Sequence, residues 1–582
     1  MIKLLPMTRV LVLVGVLGLA LAAAQPKAAP SAFAPLVDEY LEQFATRHPS
    51  IAAGNGLHQH DDRLEDFSAG AVKAEVDWLT AFRGRVDAVD AATLSADERV
   101  DRRILQGLVD AWLLDLGRVK TWQKNPMIYA SAITDGVHDL MTMESAPAAE
   151  RMRNAAAKLR AVPRLLQSAR ENIHNPPRLF VERGVVMLHG ASELLDKDLP
   201  LAFAGVKDAA LQAELRAAAA VARAAIATYS AELDASAKSA TGSYVVGTAN
   251  LEARYRDEEL IDLPASALLA IGRRELNRSQ REFTETAARV DPSRPALDVW
   301  RAVLEDHPKR GELAAAAQKT VDELLAFVTA KRLVDLPPGE RVIVAPAPEF
   351  DLGLASMHSS PPLEARPVKS FYYVTDARAD WPIERQSAWL QKFNYPTLAI
   401  ITAHEVYPGH YAHSLFMRKT PGKIRRIWIG LNPFPQPSSG QDGWAHYAEQ
   451  LVIDQGFKSD DPRYKLAELS EALTRICRLI AGIELHTGAW TVDRAAELFE
   501  REAHLPAPAA RQEAVRGTYD PTYGGYFLGK MAALKLRRDD AAALGDRFDL
   551  KAFHERVMTD GIAPWWAHRQ LLLPGDRGAV IE

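Results

Sequence analysis

The sequence predicts a mainly α-helical protein with one small β element. Long segments are rich in Ala, Leu, Arg and Glu, which are strong helix formers. Apolar residues recur at helical spacing near the start, as in Leu36, Val37, Tyr40, Leu41 and Phe44. Short β-like runs between prolines are confined to one part of the chain. Together these observations indicate helices throughout, with a sheet of limited size.

Length and composition are those of an ordinary globular protein. The 582 residues are 48% hydrophobic and 25% charged, with a formal net charge of −5. This length fits roughly two to four domains, but large helical enzymes also reach it as a single unit. The charge balance is acidic and we see no dense basic stripe, so we expect no nucleic-acid partner. The sequence leaves the oligomeric state open.

Residues 1–24 are predicted to be a secretory signal peptide. Lys3 and Arg9 give a positive start, an apolar run follows, and Ala22 to Ala24 form a small-residue cleavage site. The alternative is a membrane anchor, but the apolar run is shorter than the roughly 20 residues of a membrane span. We therefore expect a periplasmic or secreted protein with no stable membrane span after cleavage. The single cysteine, Cys477, is far from the cleavage site and is predicted to fill the core.

Residues 25–582 are expected to form one helical catalytic unit, because no clear linker interrupts them. A helical first half covers about residues 32–334, and a catalytic second half covers about residues 335–582. In the first half, helix-forming composition is concentrated at 71–116, 148–173, 208–236, 265–290 and 311–333.

The second half begins with the predicted β element. Val342 to Val344 and Phe371 to Val374 are short β-like runs, which we place at a small sheet beside the catalytic helix. Leu431 to Gly440 holds three prolines and two serines and is predicted to be a loop. Helices are expected at 385–419, 442–456, 463–487, 492–503, 523–541 and 550–558.

A short stretch from His404 to His410 carries two imidazoles and a carboxylate beside a proline and a glycine. These residue types can hold a zinc ion and activate a water molecule. In an unbroken helix, six residues turn the chain by about 600°, so the two histidines would point apart. Pro408 breaks a helix and Gly409 permits unusual backbone angles, so we predict a turn that brings His410 back. The alternative is a helix end whose histidines only cap or pack.

Glu405, next to the first histidine, is the candidate general base. A catalytic zinc usually has three protein ligands and one open position. Asp442 and Glu449 are candidates for the third ligand, because seven residues on a helix return to the same face. Either could bind the metal while the other orients a histidine. The alternative for each is an acid near a helix start that favours the helix dipole.

These motifs resemble those of the DUF885 family of bacterial proteins, which looks like a branch of the zinc metallopeptidases. The family pattern His-Glu-x-x-Pro-Gly-His occurs at 404–410, and its pattern Glu-Gly-Trp-Ala-x-Tyr-x-Glu occurs at 442–449 with Asp442 in place of the first Glu. Stretches at 56–64 and 516–530 also resemble the family, so the resemblance covers nearly the whole mature chain. It implies a large helical metallopeptidase-like architecture and zinc as the cofactor.

The stretch at 442–449 is also similar to the Glu-Gly-Phe-Ala-x-Tyr stretch of aminopeptidases related to leukotriene hydrolase, where the leading glutamate binds zinc. By that resemblance Asp442 is the third ligand, and Glu449 is the fallback. Aspartate is one methylene shorter than glutamate, but its oxygens do bind zinc.

Four further residues are candidates for contacts with the substrate. A tyrosine hydroxyl can stabilise the negative charge that develops on the carbonyl oxygen, and we choose Tyr526 first and Tyr523 second. The alternative for both is ordinary aromatic packing. His486 resembles a family histidine and is expected either to contact substrate or to be a satisfied structural residue. Arg516 is a candidate to hold a substrate carboxylate.

The leading hypothesis is an exported zinc-dependent peptidase that hydrolyses short peptides, with Glu405 as the general base. One alternative is a zinc-dependent amidase acting on a non-peptide or cell-wall amide, because the chemistry at the carbonyl is shared. Another is a non-enzymatic exported binding protein whose metal site is degenerate, which the departure at Asp442 would explain.

Overall fold

The computed structural model describes residues 31–338, 341–347, 353–431 and 436–582. The predicted signal peptide lies outside these residues, as does the middle of the loop predicted between Leu431 and Gly440. The described chain is mainly α-helical with one three-stranded sheet, which confirms the predicted fold class. Within the described ranges, no helix is both long enough and apolar enough to cross a membrane.

Two hydrophobic cores organise the helices. The first core is built mostly from residues 33–260, and the second core is built mostly from residues 251–581. The first core also takes in side chains from later in the chain, including Trp428 and Ile562. The helices between residue 265 and residue 334, which belong to the predicted helical first half, pack in the second core.

The first core contains the helices that begin before residue 240. Their bounds are α1 Ala34–Arg47, α2 Pro49–Gly54, α3 Ala69–Ala88, α4 Ala96–Leu114, α5 Thr121–Lys124, α6 Met127–Thr142, α7 Ala148–Asn172, α8 Arg178–Glu193, α9 Leu199–Ala202 and α10 Ala209–Ser236. The region predicted as helical over 71–116 is two helices, α3 and α4. Ser95 and Glu98 form a capping box that starts α4 and so separates it from α3.

The second core contains most of the helices that follow. Their bounds are α11 Thr248–Asp257, α12 Ala265–Val290, α13 Ala296–Leu304, α14 Leu313–Ala330, α15 Ile383–Leu390, α16 Tyr395–Glu405, α17 His410–Met417, α18 Lys423–Ile427, α19 Gln441–Asp454, α20 Pro462–His486, α21 Val492–Glu502, α22 Ala507–Tyr519, α23 Gly525–Leu544, α24 Leu550–Thr559 and α25 Trp565–Leu572. Cys477, on α20, is buried in this core as predicted.

The helix predicted over 385–419 is three helices, α15 to α17. Asn394 starts α16, where its side chain accepts a hydrogen bond from the Thr397 N–H at 3.0 Å. Pro408 and Gly409 separate α16 from α17. These two interruptions set the direction in which the candidate metal ligands leave the backbone.

The sheet consists of β1 Ile343–Pro346, β2 Ala355–His358 and β3 Phe371–Val374. β3 is central, parallel to β1 and antiparallel to β2. The sequence predicted β1 and β3 but not β2. The buried Tyr372 hydroxyl of β3 lies 3.2 Å from the Thr402 hydroxyl of α16, so the sheet supports the helix that carries His404.

Candidate metal centre

A tight turn joins α16 to α17. The Tyr407–Pro408 peptide is cis, and the Gly409 N–H donates to the Ala403 carbonyl at 3.0 Å. A Cβ atom on Gly409 would lie 1.7 Å from the His404 carbonyl oxygen, so no larger residue fits without displacing the backbone. The indole N–H of Trp444 donates to the Pro408 carbonyl at 3.0 Å and ties the turn to α19.

This turn brings the two histidines of the motif together. The ring centroids of His404 and His410 are 4.7 Å apart and the planes are nearly perpendicular, at 86°. Asp442 Oδ1 lies 3.6 Å from the Nε2 atom of each ring. One ligand atom from each of the three residues lies within 4.8 Å of the others.

The spacing of these donor atoms fits a single zinc ion. Tetrahedral zinc with bonds of about 2.0–2.1 Å to nitrogen and oxygen places its ligands roughly 3.4 Å apart. Two nitrogens and one carboxylate oxygen also form the three-ligand set that leaves one position open for water or substrate. The side chains of His404, His410 and Asp442 could therefore hold the metal with little movement.

The carboxylates and histidines at this site stabilise each other's charged forms. Burial alone would raise the pKa of Asp442, but the two facing histidines hold it well below its usual range. Burial likewise opposes the charged form of His404, yet Asp442 and Glu449 raise the pKa of His404 to about 10. This pocket of negative charge favours a cation between the two imidazoles.

Glu449 lies behind His404, on the side away from Asp442. Its Oε1 atom is 2.6 Å from His404 Nδ1 and accepts a hydrogen bond from Arg475 at 2.9 Å. The other oxygen is 3.0 Å from Nδ1 of His446. The carboxylate thus orients the His404 ring and leaves Nε2 free to face Asp442 and His410. The two carboxylates that the sequence could not rank therefore occupy different positions.

Glu405 is the last residue of α16 and is half-buried. Burial chiefly raises the pKa of the Tyr372 hydroxyl, and the charge of Glu405 raises it further. The same charge also contributes to the raised pKa of His404. The Glu405 carboxylate therefore lies near both the central strand and the first histidine of the candidate centre.

Two glycines bring Asp442 and Tyr526 close together. A Cβ atom on Gly443 of α19 would lie 2.5 Å from the Gly529 Cα atom of α23, so the helices touch at this point. Tyr526 lies one helical turn before Gly529. The charge of Asp442, after burial, is the second cause that raises the pKa of Tyr526.

Arg516 lies beside Tyr526. It donates to the Asp520 carboxylate at 3.0 Å, and its guanidinium approaches the Tyr526 hydroxyl at 3.5 Å. Tyr526, Arg516, Asp520 and Asp442 all line one cavity. The structure thus brings two of the four predicted substrate-contact residues to the candidate metal centre.

The other two lie elsewhere. Tyr523 is buried in the second core and its hydroxyl donates to the Glu513 carbonyl at 3.4 Å, so packing and not the cavity determines its position. His486 is buried with its Nε2 atom 2.7 Å from the Gly517 carbonyl oxygen and Nδ1 3.4 Å from the Val246 nitrogen. Its ring is held by two backbone groups and borders a different cavity.

The cavity at Asp442, here called the metal cavity, has a volume of about 720 Å³ and lies between the two cores. The second core supplies Asp442, Tyr526 and Arg516. The opposite wall comes from α2 and α6 of the first core. A smaller space of about 270 Å³, lined by His410 and His413, adjoins the metal cavity at Asn55 and Gln441, which line both.

Sequence reasoning missed the polar residues of that opposite wall. Asp135, His138 and Asp139 of α6 all face the metal cavity. Burial raises the pKa of Asp135 to about 7, and the charge of Asp139 raises it further. Three ionisable residues on one face of an otherwise apolar helix were the signal that could have found them. Arg475 carried a similar signal, as a cation within the apolar series of α20.

The fold and the site together define a large helical protein with a candidate His-His-Asp centre beside a cavity between two cores. The DUF885 profile, described as a bacterial protein of unknown function, matches residues 49–568. The chain therefore belongs to the DUF885 family, as its motifs indicated. No curated protein matches the sequence.

Two solved structures share the fold. A candidate lipoprotein of unknown function from Shewanella oneidensis superposes with a TM-score of 0.77 at 24% identity, covering 93% of this chain and all of the other. A candidate lipoprotein from Colwellia psychrerythraea gives a TM-score of 0.76 at 18% identity, covering 94% of this chain and 99% of the other. At these identities the likeness establishes the fold alone.

Proposed function

We propose that this protein is an exported, zinc-dependent peptidase that hydrolyses short peptides. The observation that carries the proposal is the convergence of His404, His410 and Asp442, whose donor atoms lie within 4.8 Å of one another. A carboxylate, Glu405, adjoins the first of these ligands in the chain. A purely structural metal site has no need of a base beside its ligand.

The residues have complementary roles in this proposal. Zinc held by the three ligands would polarise the scissile carbonyl and lower the pKa of a water molecule. Glu405 accepts the proton of that water and passes it to the leaving amine. The Tyr526 hydroxyl, oriented by Arg516, donates a hydrogen bond to the carbonyl oxygen as negative charge develops there. Glu449 keeps His404 in the tautomer that binds metal through Nε2.

The position of the cavity supports short peptides as substrates. It lies between two helical cores, and residues from both line it. A peptide bond within a folded protein cannot reach such a site without local unfolding, whereas a short extended peptide can.

Export is supported by the predicted signal peptide and by the two solved structures that share the fold, both described as candidate lipoproteins. We propose the periplasm or the extracellular space as the location.

Metal content and peptide cleavage test the proposal together. The purified protein is analysed for bound metals, and then incubated with a peptide library whose products are identified by mass spectrometry. We expect about one zinc per chain and cleavage that a chelator abolishes. Cleavage of cell-wall amides but of no peptide would favour an amidase instead. A protein that cannot take up metal would contradict both activities.

A Glu405→Gln variant tests the assignment of the base. We expect it to bind zinc normally but to lose activity by roughly 10²–10⁴-fold, because proton transfer is removed while the ligands remain. Glu384→Gln, at an exposed position on α15, is the control and should retain full activity. Unchanged cleavage by the Glu405→Gln protein would rule out this mechanism.

A further inference from the structure

A second cavity lies next to the metal cavity and is here called the apolar cavity. Its volume is about 270 Å³, sufficient for one large side chain. Most of its wall is hydrophobic or aromatic. The apolar wall residues include Ile128, Phe180, Met187, Tyr244, Val246 and Tyr519.

The apolar cavity and the metal cavity share a wall. Ser131 of α6 lines both of them. Ile128 faces the apolar cavity, whereas Asp135 and His138 face the metal cavity. These four residues are spaced by three, four and three positions, so they form one face of a single helix. That face is a continuous surface leading from one cavity to the other.

The loop after α22 joins the cavities a second time. Tyr519 and Pro521 line the apolar cavity, while Asp520 between them lines the metal cavity. Asp520 is the residue that pairs with Arg516 beside Tyr526. A molecule bound near Tyr526 and Asp520 therefore lies beside Tyr519 and Pro521, which belong to the wall of the apolar cavity.

The apolar cavity carries a positive charge. Lys124, Arg183 and Arg254 line it, and its lining within the described ranges includes no carboxylate. Arg254 is fully buried and neutralised by Asp115 at 2.6 Å and Glu258 at 2.7 Å. The exposed Lys124 and Arg183 remain to attract an anion. The cavity thus suits an apolar group that bears a negative charge.

His486 holds another wall of this cavity in place. Burial lowers its pKa to about 4, so the ring is neutral near pH 7. Its Nδ1 atom accepts from the Val246 N–H, and its own backbone carbonyl accepts from the Gly247 N–H at 3.0 Å. The segment containing Tyr244 and Val246 is thereby fixed against the end of α20. His486 is a positioning residue for this cavity.

We propose that the apolar cavity binds the C-terminal residue of the peptide substrate, with a large apolar side chain inside and its α-carboxylate near Lys124 and Arg183. This inference rests on the proposed peptidase function, which it deepens by naming the substrate class. The rest of the peptide follows the face of α6 through Ser131 into the metal cavity. The scissile bond then lies close to Asp442 and Tyr526.

A binding experiment tests the cavity without relying on catalysis. The metal-loaded, full-length protein is titrated with 3-phenylpropionate, which has an aromatic ring and a carboxylate but no bond to cleave. Met187→Trp fills the apolar cavity and should weaken binding by about tenfold or more. Val186→Trp, at the neighbouring exposed position on α8, is the matched control and should bind normally.

The charge is tested in the same way. Arg183→Gln should weaken 3-phenylpropionate binding by roughly tenfold, because it removes a charged partner of the carboxylate. It should leave the weaker binding of the uncharged 3-phenylpropanol unchanged. Arg178→Gln on the same helix is the control. No binding to the parent protein, or equal binding by Met187→Trp, would overturn the proposed site.

Peptide kinetics then separate this inference from the proposed function. Peptides ending in Phe or Leu should show higher kcat/KM than matched peptides ending in Asp or Gly, and C-terminal amidation should lower kcat/KM. Met187→Trp should reduce this preference and Val186→Trp should not. Cleavage without such a preference contradicts the inference alone. Binding of 3-phenylpropionate with no peptide cleaved contradicts the peptidase function, while the anion site remains.

Discussion

At the scale of single residues, the two carboxylates of α19 contact different nitrogens of His404. Asp442 faces Nε2 together with His410, and Glu449 holds Nδ1 together with Arg475. Their spacing in the sequence predicted that both lie on one helical face, but it did not indicate which of them faces the metal site. Their separation depends on how α16 and α20 pack around α19, which no local pattern encodes.

The contact between Glu449 and His404 leads to a prediction about metal affinity. Glu449→Gln should weaken zinc binding by about 10–100-fold, because the amide orients the imidazole less strongly than the carboxylate. Competition with a chromogenic chelator measures this change. Glu471→Gln is the control, since Glu471 also pairs with Arg475 but is one salt bridge further from His404. Equal loss in both variants would assign the effect to Arg475 instead.

Of the four predicted substrate-contact residues, two line the metal cavity and two do not. Tyr526 and Arg516 line it, whereas Tyr523 and His486 are held by packing and by backbone groups. Tyr523 and Tyr526 are three positions apart, but α23 begins only at Gly525, so Tyr523 lies outside the helix and the two rings do not share a helical face. If α23 began two residues earlier, the rings of Tyr523 and Tyr526 would lie on one helical face.

At the scale of elements, the turn between α16 and α17 is the decisive feature. The sequence predicted that Pro408 and Gly409 would redirect His410, and the structure contains that turn. It did not predict that the Trp444 indole would close the turn from α19.

The boundaries of α12 follow from composition. Its residues are strong helix formers, and the helix lies between Pro264 and Asp291. β2 lacks β-branched residues and forms only by pairing with β3, so composition could not reveal it.

Gly409→Ala should disrupt the candidate centre. Its Cβ atom would lie 1.7 Å from the His404 carbonyl oxygen, so the turn must open and His410 must move. We expect a loss of roughly 2–4 kcal/mol in unfolding free energy, together with loss of bound zinc. Urea denaturation and metal analysis check the two effects. Gly84→Ala in α3 has open space around its Cβ atom and should be neutral or slightly stabilising.

At the scale of the whole molecule, the first core binds segments from much later in the chain beside the metal cavity. Asn55 of the first core donates to the Gly430 carbonyl at 3.0 Å, and Trp112 donates to the Leu431 carbonyl at 2.9 Å. His58 bridges Asp61 at 2.9 Å and Glu364 at 2.7 Å. The sequence could not show the contacts to Gly430, Leu431 and Glu364, because these partners are 306 to 375 residues away.

The His58 bridge predicts a pH dependence of stability. Its hydrogen bond to Asp61 and the nearby Glu364 raise the pKa of His58 to about 9, against the effect of burial. A raised pKa stabilises the fold fully below the unfolded value of about 6.5, and this contribution is lost as pH rises through 9. The unfolding free energy should fall by roughly 1–2 kcal/mol across that range, because the His58 side chain is 31% exposed and solvent screens its ion pairs.

Urea unfolding from pH 6 to pH 9.5 measures this dependence. His58→Gln should remove most of the decline, because glutamine does not titrate. His60→Gln is the matched control, since His60 contacts Thr46 within the first core instead of Glu364. A decline that persists in the His58→Gln protein would show that other groups cause it.

The ligands and the candidate base all belong to the second core, whereas α6 of the first core forms the facing wall. In the proposed peptidase, the reacting groups and the facing wall would therefore be encoded in different parts of the chain. Substitutions on α6 would then alter the shape and charge of the cavity while the candidate ligands stay in place. On this proposal, α6 is the segment to exchange when redirecting the protein to a new substrate.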